Sequence, residues 1–126
     1  MAQEVLDLTG TWHPAEGAHI VEGASLHRES GTIPVPGHDT LRRHTSNFVF
    51  HFERQEGRNF WGFLSSAKVT EKLIGALSVD GKRFVMVDED GTFNGTVVDN
   101  DTLDYCYTHI TPTSRCVACG LLIREK

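Results

Sequence analysis

Long apolar runs are missing from this 126-residue chain. No stretch approaches the roughly 18 apolar residues that a membrane-spanning helix needs, and residues 1–8 lack the basic and apolar regions of a signal peptide. Cysteine is scarce too, and its odd count of three fits a reducing compartment better than a disulfide framework. We therefore expect a cytoplasmic protein that does not associate with membranes.

Positive charge is also in short supply. The 12 Lys and Arg residues are outnumbered by 17 Asp and Glu residues, which gives a formal net charge of −5. Neutralising nucleic acid phosphates takes clustered basic side chains, and the only such cluster, Arg42-Arg43-His44, is short. Nucleic acid is therefore not an expected partner. Apolar residues make up 39% of the chain, so we expect one folded domain over residues 1–126.

Helical periodicity is absent, and the chain has instead a series of short apolar runs separated by turns. Asp-Gly between two such runs is a strong hairpin signal, because both residues of a type I′ turn need positive φ. The turn pairs are Glu56-Gly57, Asp80-Gly81, Asp90-Gly91 and Asn100-Asp101. The predicted strands cover residues 9–13, 46–54, 59–66, 71–79, 82–89, 92–99, 102–110 and 115–124.

These eight strands follow one another through tight turns, which makes a meander. A meander of this size removes its exposed edges when it closes on itself. The predicted fold is therefore all-β, an eight-stranded antiparallel up-and-down barrel.

Residues 14–45 differ from the rest of the chain and are expected to form a long excursion. They hold three of the four prolines. The segment Ile33–Gly37 cannot be a central strand, because proline removes the hydrogen-bond donors of a sheet. A short edge strand is expected near residues 19–22 or 25–29. A loop of this length often serves as a lid or a subunit contact.

Two-residue turns assign the central strands to two faces, because directly opposed residues share a face. One face is predicted to hold Leu73, Gly75, Leu77, Phe84, Met86, Asp88, Phe93, Gly95, Val97 and Cys106. The other is predicted to hold Ile74, Ala76, Ser78, Arg83, Val85, Val87, Asn94, Thr96, Val98, Leu103, Tyr105, Tyr107 and His109. Neither face is plainly polar, and a strand that is apolar on both sides must be covered on both sides. We therefore expect a homo-oligomer.

The second face carries the best candidates for a ligand site. Tyr105, Tyr107 and His109 share one strand, with Asn94 opposite them and Arg83 farther along. Hydroxyl, amide and charged groups of this kind orient small molecules in barrel pockets. An outer wall or a subunit interface is the alternative, since Tyr and Arg are enriched there as well.

An aromatic cluster supplies the sixth ligand-site candidate. A two-residue turn at Glu56-Gly57 pairs Phe50 with Phe63 and Phe52 with Trp61. This face is predicted to belong to the core, or to the apolar end of a pocket in which Trp61 contacts the ligand.

Acid–base chemistry has few candidates, namely His109, Tyr107 and Asp88. A buried carboxylate must be paired or protonated, and Asp88 lies near a strand end, so we expect it at the rim. Cys116 and Cys119 are three apart on a strand and point to opposite faces, so neither a zinc site nor a redox pair is expected. The remaining histidines are irregularly spaced, and no metal or cofactor is predicted.

The two chain ends carry a resemblance to a known superfamily. Leu8-Thr9-Gly10-Thr11-Trp12 resembles the Gly-x-Trp opening of the calycins, which include the lipocalins and avidins. The resemblance implies that Trp12 plugs one end of the barrel and that Arg124, in the last strand, covers it. The biotin-contacting pattern of avidins does not map onto this chain. The allene oxide cyclase-like barrels are similar in length and strand pattern, and include isomerases and cyclases.

Three functions are compatible with these features. The first is a barrel that binds a small hydrophobic molecule. The second is an isomerase or cyclase with an apolar substrate in the barrel. The third is a ligand-free module that acts through an oligomeric interface.

Overall fold

The protein is a ten-stranded all-β structure without helix in its described part. The computed structural model describes residues 5–23, 32–38, 40–44 and 47–126. The strands are β1 (Gly10–Gly23), β2 (Thr32–Pro34), β3 (Leu41–His44), β4 (Val49–Glu56), β5 (Asn59–Ser65), β6 (Thr70–Leu77), β7 (Arg83–Val87), β8 (Thr92–Asp99), β9 (Thr102–Thr111) and β10 (Ser114–Arg124).

Eight of these strands close into the predicted barrel. The neighbours run β10-β9-β8-β7-β6-β5-β4-β1, and β1 pairs with β10 to complete the ring. All pairings are antiparallel, so the up-and-down order is confirmed. Short β3 and β2 lie beyond β1 as an extension of the sheet.

The first strand is longer than predicted and changes partner along its length. Its beginning, Gly10–Trp12, pairs with β4, while Ile20–Glu22 pairs with β3. A bulge between Ala15 and Ala18, with Glu16 at a φ of 54°, lies on the side that faces β10, and a bulge of this kind bends a strand. The expected edge strand near residues 19–22 is part of β1, whereas residues 25–29 lie outside the described residues.

The acidic-glycine turns form near the predicted places but not in the predicted conformation, and the first is displaced: Glu56 ends β4, and Gly57-Arg58 form the loop to β5. Gly57 and Gly81 have positive φ, whereas the only non-glycine residue with positive φ in the described chain is Glu16. The turns are therefore not type I′. At Asp88–Gly91 the loop has four residues, so Met86 pairs with Phe93 instead of Gly95. A shift of two residues leaves every side chain on its predicted face.

Two bulges, however, make part of the predicted face assignment wrong. Asp99 pairs with Thr102 as the turn predicts, but Val98 is then left out of the ladder and Val97 pairs with Leu103. A one-residue shift moves a whole strand to the other face. As a result Tyr105, Tyr107 and His109 point inward and Cys106 points outward.

The second bulge has the same effect on the aromatic cluster. Glu53 is left out between Phe52 and Arg54, so Phe52 pairs with Gly62 and Trp61 pairs with Arg54. Phe60 therefore lies inside, while Trp61 lies on the outer wall.

The lumen is packed with side chains along its length. Every barrel strand contributes to one buried cluster, which consists of Leu8, Trp12, Phe50, Phe52, Phe60, Leu64, Leu73, Leu77, Phe84, Met86, Phe93, Leu103, Tyr105 and Leu122. Gly75 makes room in this cluster, since a Cβ there would lie 2.3 Å from Cζ of Phe60. Apolar burial in this cluster is the main stabilising contribution to the fold.

The outer wall is solvent-exposed in the single chain, and the expected cover from a second subunit stays a prediction. Several large apolar residues stand out on it: Ile74 is 61% exposed, Val85 56%, Val98 58% and Ile110 81%. These residues are the remaining basis for the predicted homo-oligomer.

Candidate functional site

The two ends of the lumen differ in chemistry, and one of them is sealed. Trp12 is fully buried there, and its Nε1 donates a hydrogen bond to the carbonyl of Leu8 at 2.9 Å. The Arg124 guanidinium lies 4.6 Å from the Trp12 ring centroid and donates to the carbonyls of Thr9 and Asp7. This is the packing that the resemblance implies.

The opposite end of the lumen, which we call the acidic end, combines Glu71, Asp88, Asp90, Tyr107 and His109. Glu71 projects inward from β6 and is only 4% exposed. Asp88 and Asp90 belong to the loop between β7 and β8, while Tyr107 and His109 come from β9. The Val98 bulge brings these groups together, because it turns the tyrosine and the histidine into the lumen.

Backbone amides fix the carboxylates of the acidic end. The Asp88 Oδ1 accepts hydrogen bonds from the amides of Asp90 and Gly91, at 3.0 and 2.7 Å. Such a contact from a side chain to the amide two residues on is typical of Asp in turns. The Glu71 Oε1 accepts from the Glu89 amide at 3.3 Å. The loop is thereby held against β6.

Tyr107 and His109 both contact Asp90. The Tyr107 hydroxyl donates to Asp90 Oδ1 at 3.1 Å, and its ring lies 4.5 Å from that of Phe93. His109 Nδ1 lies 2.7 Å from the Asp90 carbonyl oxygen, which can only accept, so Nδ1 carries the proton in the neutral ring. Nε2 is then an acceptor. It is buried and has no hydrogen-bond partner among the described residues, and the side chain is only 6% exposed.

Burial and like charge set the protonation of the acidic end. Burial, together with the negative charges of Glu71 and Asp90, raises the pKa of Asp88 to about 7 against the opposing hydrogen bond from the Asp90 amide. Burial also raises the pKa of Tyr107, again with Asp88 and Asp90 adding to the effect. Near neutral pH the site therefore holds a neutral phenol beside a carboxyl group that exchanges its proton.

A buried thiol borders this site. Cys116 on β10 is the cross-strand partner of His109, and it faces the lumen. Burial, with the Asp90 charge as a second cause, raises the pKa of its thiol. Burial also raises the pKa of Tyr105 to about 12. These groups are neutral at physiological pH and act as hydrogen-bonding or apolar surface.

The arrangement offers two kinds of chemistry. Oxygen atoms of Glu71, Asp88 and Asp90 lie within 4.8 Å of one another, and they are the one group of this kind within the part of the chain that the structure describes. Carboxylate oxygens at this spacing suit a hard cation or a basic ligand group. A carboxyl group that titrates near pH 7 is also suited to proton transfer.

The six predicted ligand residues divide between the two sides of the wall. Tyr105, Tyr107 and His109 lie together inside the barrel. Arg83 and Asn94 are exposed on the outer wall, because the Val98 bulge separates their face from that of β9. Trp61 lies outside as well, where the Glu53 bulge places it. The three acid–base candidates do come together at the acidic end: Tyr107 and His109 point inward, and Asp88 is half-buried in the β7–β8 loop, near the rim as expected.

Glu71, Asp90 and Cys116 are site residues that the sequence interpretation missed. The alternation Glu71, Leu73, Gly75, Leu77 already put Glu71 on the inner face. Asp90 was interpreted only as a turn residue. No pattern signalled the position of Cys116 beside His109, because this depends on the β9–β10 register.

A disulfide bond joins Cys106 and Cys119 on the outer wall. The two residues are directly opposed in β9 and β10, and the odd cysteine count gave no indication of this bond. The prediction that Cys116 and Cys119 point to opposite faces is confirmed, since Cys116 is a buried free thiol.

Comparison with known proteins supplies no transferable activity. The chain matches no family model, no curated protein and no solved structure. Among the described residues, none belongs to a helix long and apolar enough to cross a membrane.

Proposed function

We propose that this protein is a small-molecule-binding barrel that holds its ligand at the acidic end of the lumen. The observation that carries the proposal is the convergence of inward polar groups at one end of an otherwise apolar, filled lumen. Small-molecule sites combine apolar walls with a few convergent polar groups. The opposite end is sealed by Trp12 and Arg124, so the acidic end is the side on which a ligand is received.

The chemistry of the acidic end favours an apolar ligand with a basic or hydrogen-bond-donating group. Phe93 lies beneath the site, 4.5 Å from the Tyr107 ring and 5.4 Å from the Phe50 ring, between centroids. These rings suit an aromatic or aliphatic body. The unpartnered His109 Nε2 accepts a hydrogen bond from a donor, and the carboxylates disfavour an anion.

A thermal-shift series with three ligands of equal size tests the proposal. We expect an arylalkyl amine to raise the melting temperature more than the matching alcohol, and the matching carboxylate to have no effect. At 100 times Kd a ligand stabilises the folded state by about 2.7 kcal/mol, which is well within the sensitivity of the method.

Matched variants locate the response. Tyr107→Phe and Asp88→Asn should weaken the amine effect several-fold. Arg83→Gln changes the exposed outer wall and should leave it intact. Equal responses in all three variants, or a response to the carboxylate as strong as that to the amine, would refute binding at the acidic end.

An isomerase-type enzyme is the second candidate, and the Asp88 carboxyl favours it. A group that titrates at about pH 7 beside the Tyr107 phenol can take up a proton and return it. We expect the protein to exchange α-protons of arylalkyl ketones with deuterated water, as followed by NMR, and Asp88→Asn to abolish the exchange. Exchange no faster than in buffer would exclude this chemistry.

We also propose that the barrel is calycin-like and that it self-associates. The packing of Arg124 on Trp12 supports the first point. The exposed Ile74 and Val85 on the outer wall support the second, because exposed apolar residues on neighbouring strands favour a protein contact. Sedimentation analysis should show a dimer or larger species. A monomer in sedimentation that also shows no thermal shift with any ligand would contradict both the binding barrel and the interaction module.

A cytoplasmic location is the last part of the proposal. The Cys106–Cys119 disulfide bears on it directly, because stable disulfides are rare in reducing compartments. In the cytoplasm this pair of cysteines would exchange between the disulfide and two free thiols.

A further inference from the structure

The Cys106–Cys119 disulfide stands at a structurally exceptional place in the barrel wall. Cys106 lies between Tyr105 and Tyr107, whose side chains enter the lumen. Cys119 is followed by Gly120, where β10 approaches the bulge of β1 so closely that a Cβ would lie 2.8 Å from the Ala15 carbonyl oxygen. The bond therefore links the strand that carries the inward tyrosines to the strand that closes the barrel.

The bond lies on the outer side of the barrel wall. Both cysteines point to the outer wall and are half-buried. Their cross-strand neighbours on the far sides are Asn94 in β8 and Ala18 in β1, and both of these side chains are small and exposed. The third cysteine, Cys116, is buried on the inner side and is shielded by the same wall.

The seam beside Cys119 is the irregular part of the ring. Glu16 adopts a left-handed φ of 54° in the bulge, a conformation that is unfavourable for residues other than Gly, Asn and Asp. The β1–β10 register shifts at this bulge. A covalent link between β9 and β10 holds the closing strand in place where its other neighbour is distorted.

We propose that Cys106 and Cys119 form a reversible redox site that dithiols reduce in the folded protein. A thiolate of the dithiol attacks one sulfur atom, forms a mixed disulfide and releases the other cysteine as a thiolate, which takes up a proton. The second thiol of the reductant then displaces the remaining cysteine. Two electrons and two protons reach the protein, and the reductant leaves as a disulfide. This chemistry goes beyond ligand binding and does not depend on it.

Thiol labelling of the native protein tests the proposal. Oxidised protein treated with N-ethylmaleimide should gain no label. After dithiothreitol without denaturant it should gain two, on Cys106 and Cys119, with Cys116 unlabelled. Oxidised glutathione should then restore the bond and protect both residues. A bond that is reduced only in denaturant, or that does not re-form after reduction, would overturn the proposal.

Thermal unfolding provides the second readout. A bond over a sequence separation of 13 restricts the unfolded chain, so reduction should lower the melting temperature by roughly 10 °C. The double variant Cys106→Ser/Cys119→Ser should have the melting temperature of the reduced protein, and dithiothreitol should not change it. Cys116→Ser should keep the full dithiothreitol response. Loss of the response in the Cys116 variant, with the outer pair intact, would contradict the assignment; the labelling experiment decides the matter if the double variant does not fold.

Discussion

At the scale of single residues, the acidic end is defined by a carboxyl group whose environment opposes its charge. Asp88 is partly removed from water and lies beside the charges of Glu71 and Asp90, which together raise its pKa to about 7 from an ordinary value of 3.8. The folded state therefore binds more protons than the unfolded state between these two values. Stability from this group is present below about pH 4 and is lost as the pH rises through 7.

The first prediction concerns this loss of stability with rising pH. Between pH 5 and pH 8 the free energy of unfolding should fall by roughly 1 kcal/mol through Asp88, a value discounted because part of the group reaches solvent. Asp88→Asn should remove most of this slope while it keeps the turn contact to the amides of Asp90 and Gly91. The control Asp104→Asn, on the exposed outer wall, should keep the slope. Urea unfolding at several pH values measures it, and an unchanged slope in Asp88→Asn would contradict the pKa assignment.

At the scale of strands and turns, two single-residue bulges decide which side chains meet. The eight strands, their antiparallel order and the inner positions of Leu77, Phe84 and Met86 follow from alternation and turn spacing alone. The bulges at Val98 and Glu53 do not, because an extra residue leaves no mark on composition or turn chemistry. Each bulge shifts the pairing with the next strand by one residue, so the residues of that strand change between the inner and the outer face.

The candidate site, like the fold, was predictable only as far as strand alternation determines it. Tyr107 and His109 could be grouped on one strand face, since that grouping depends only on period-two alternation. The Val98 bulge decides that these side chains lie close to Asp88 and on the opposite side of the wall from Arg83 and Asn94. The loop at Asp88–Gly91 shifted the register by two residues, and this even number left the faces unchanged.

The second prediction tests the bulge directly. Deleting Val98 should force β9 into the predicted two-residue register, turn Tyr107 outward and bury exposed residues in its place. We expect loss of cooperative unfolding, or a destabilisation above about 4 kcal/mol. Val98→Ala, which keeps the bulge at a position 58% exposed, should stay within about 0.5 kcal/mol of the original. A stable deletion variant would show that the bulge does not set the register. Circular dichroism melts measure both.

At the scale of the whole molecule, the barrel is closed at one end by a contact between its first and last strands. Arg124 covers Trp12 and donates to the carbonyls of Thr9 and Asp7. It also forms an ion pair with Asp101 at 3.1 Å. One side chain thus joins the N-terminal segment, the closing strand and the β8–β9 turn.

The third prediction concerns this closure. Arg124→Ala should lower the free energy of unfolding by about 2–4 kcal/mol, because the Thr9 and Asp7 carbonyl groups lose their donor and the buried Trp12 loses its cover. Lys126→Ala is the matched control, since Lys126 pairs with the same Asp101 at 3.6 Å but is 82% exposed, and exposed pairs contribute little. Similar losses in the two variants would show that the ion pair, rather than the seal, matters.

Asp88, Tyr107 and His109 meet Glu71 and Asp90 at the acidic end of the barrel, and the proposed ligand site depends on this arrangement. The most direct measurement is an NMR pH titration of the carboxyl carbon of Asp88, assigned by comparison with Asp88→Asn. Burial among like charges predicts a midpoint at about 7, moving downward when an arylalkyl amine is added. A midpoint near 4 that does not move when the amine is added would contradict both the raised pKa of Asp88 and ligand binding at the acidic end.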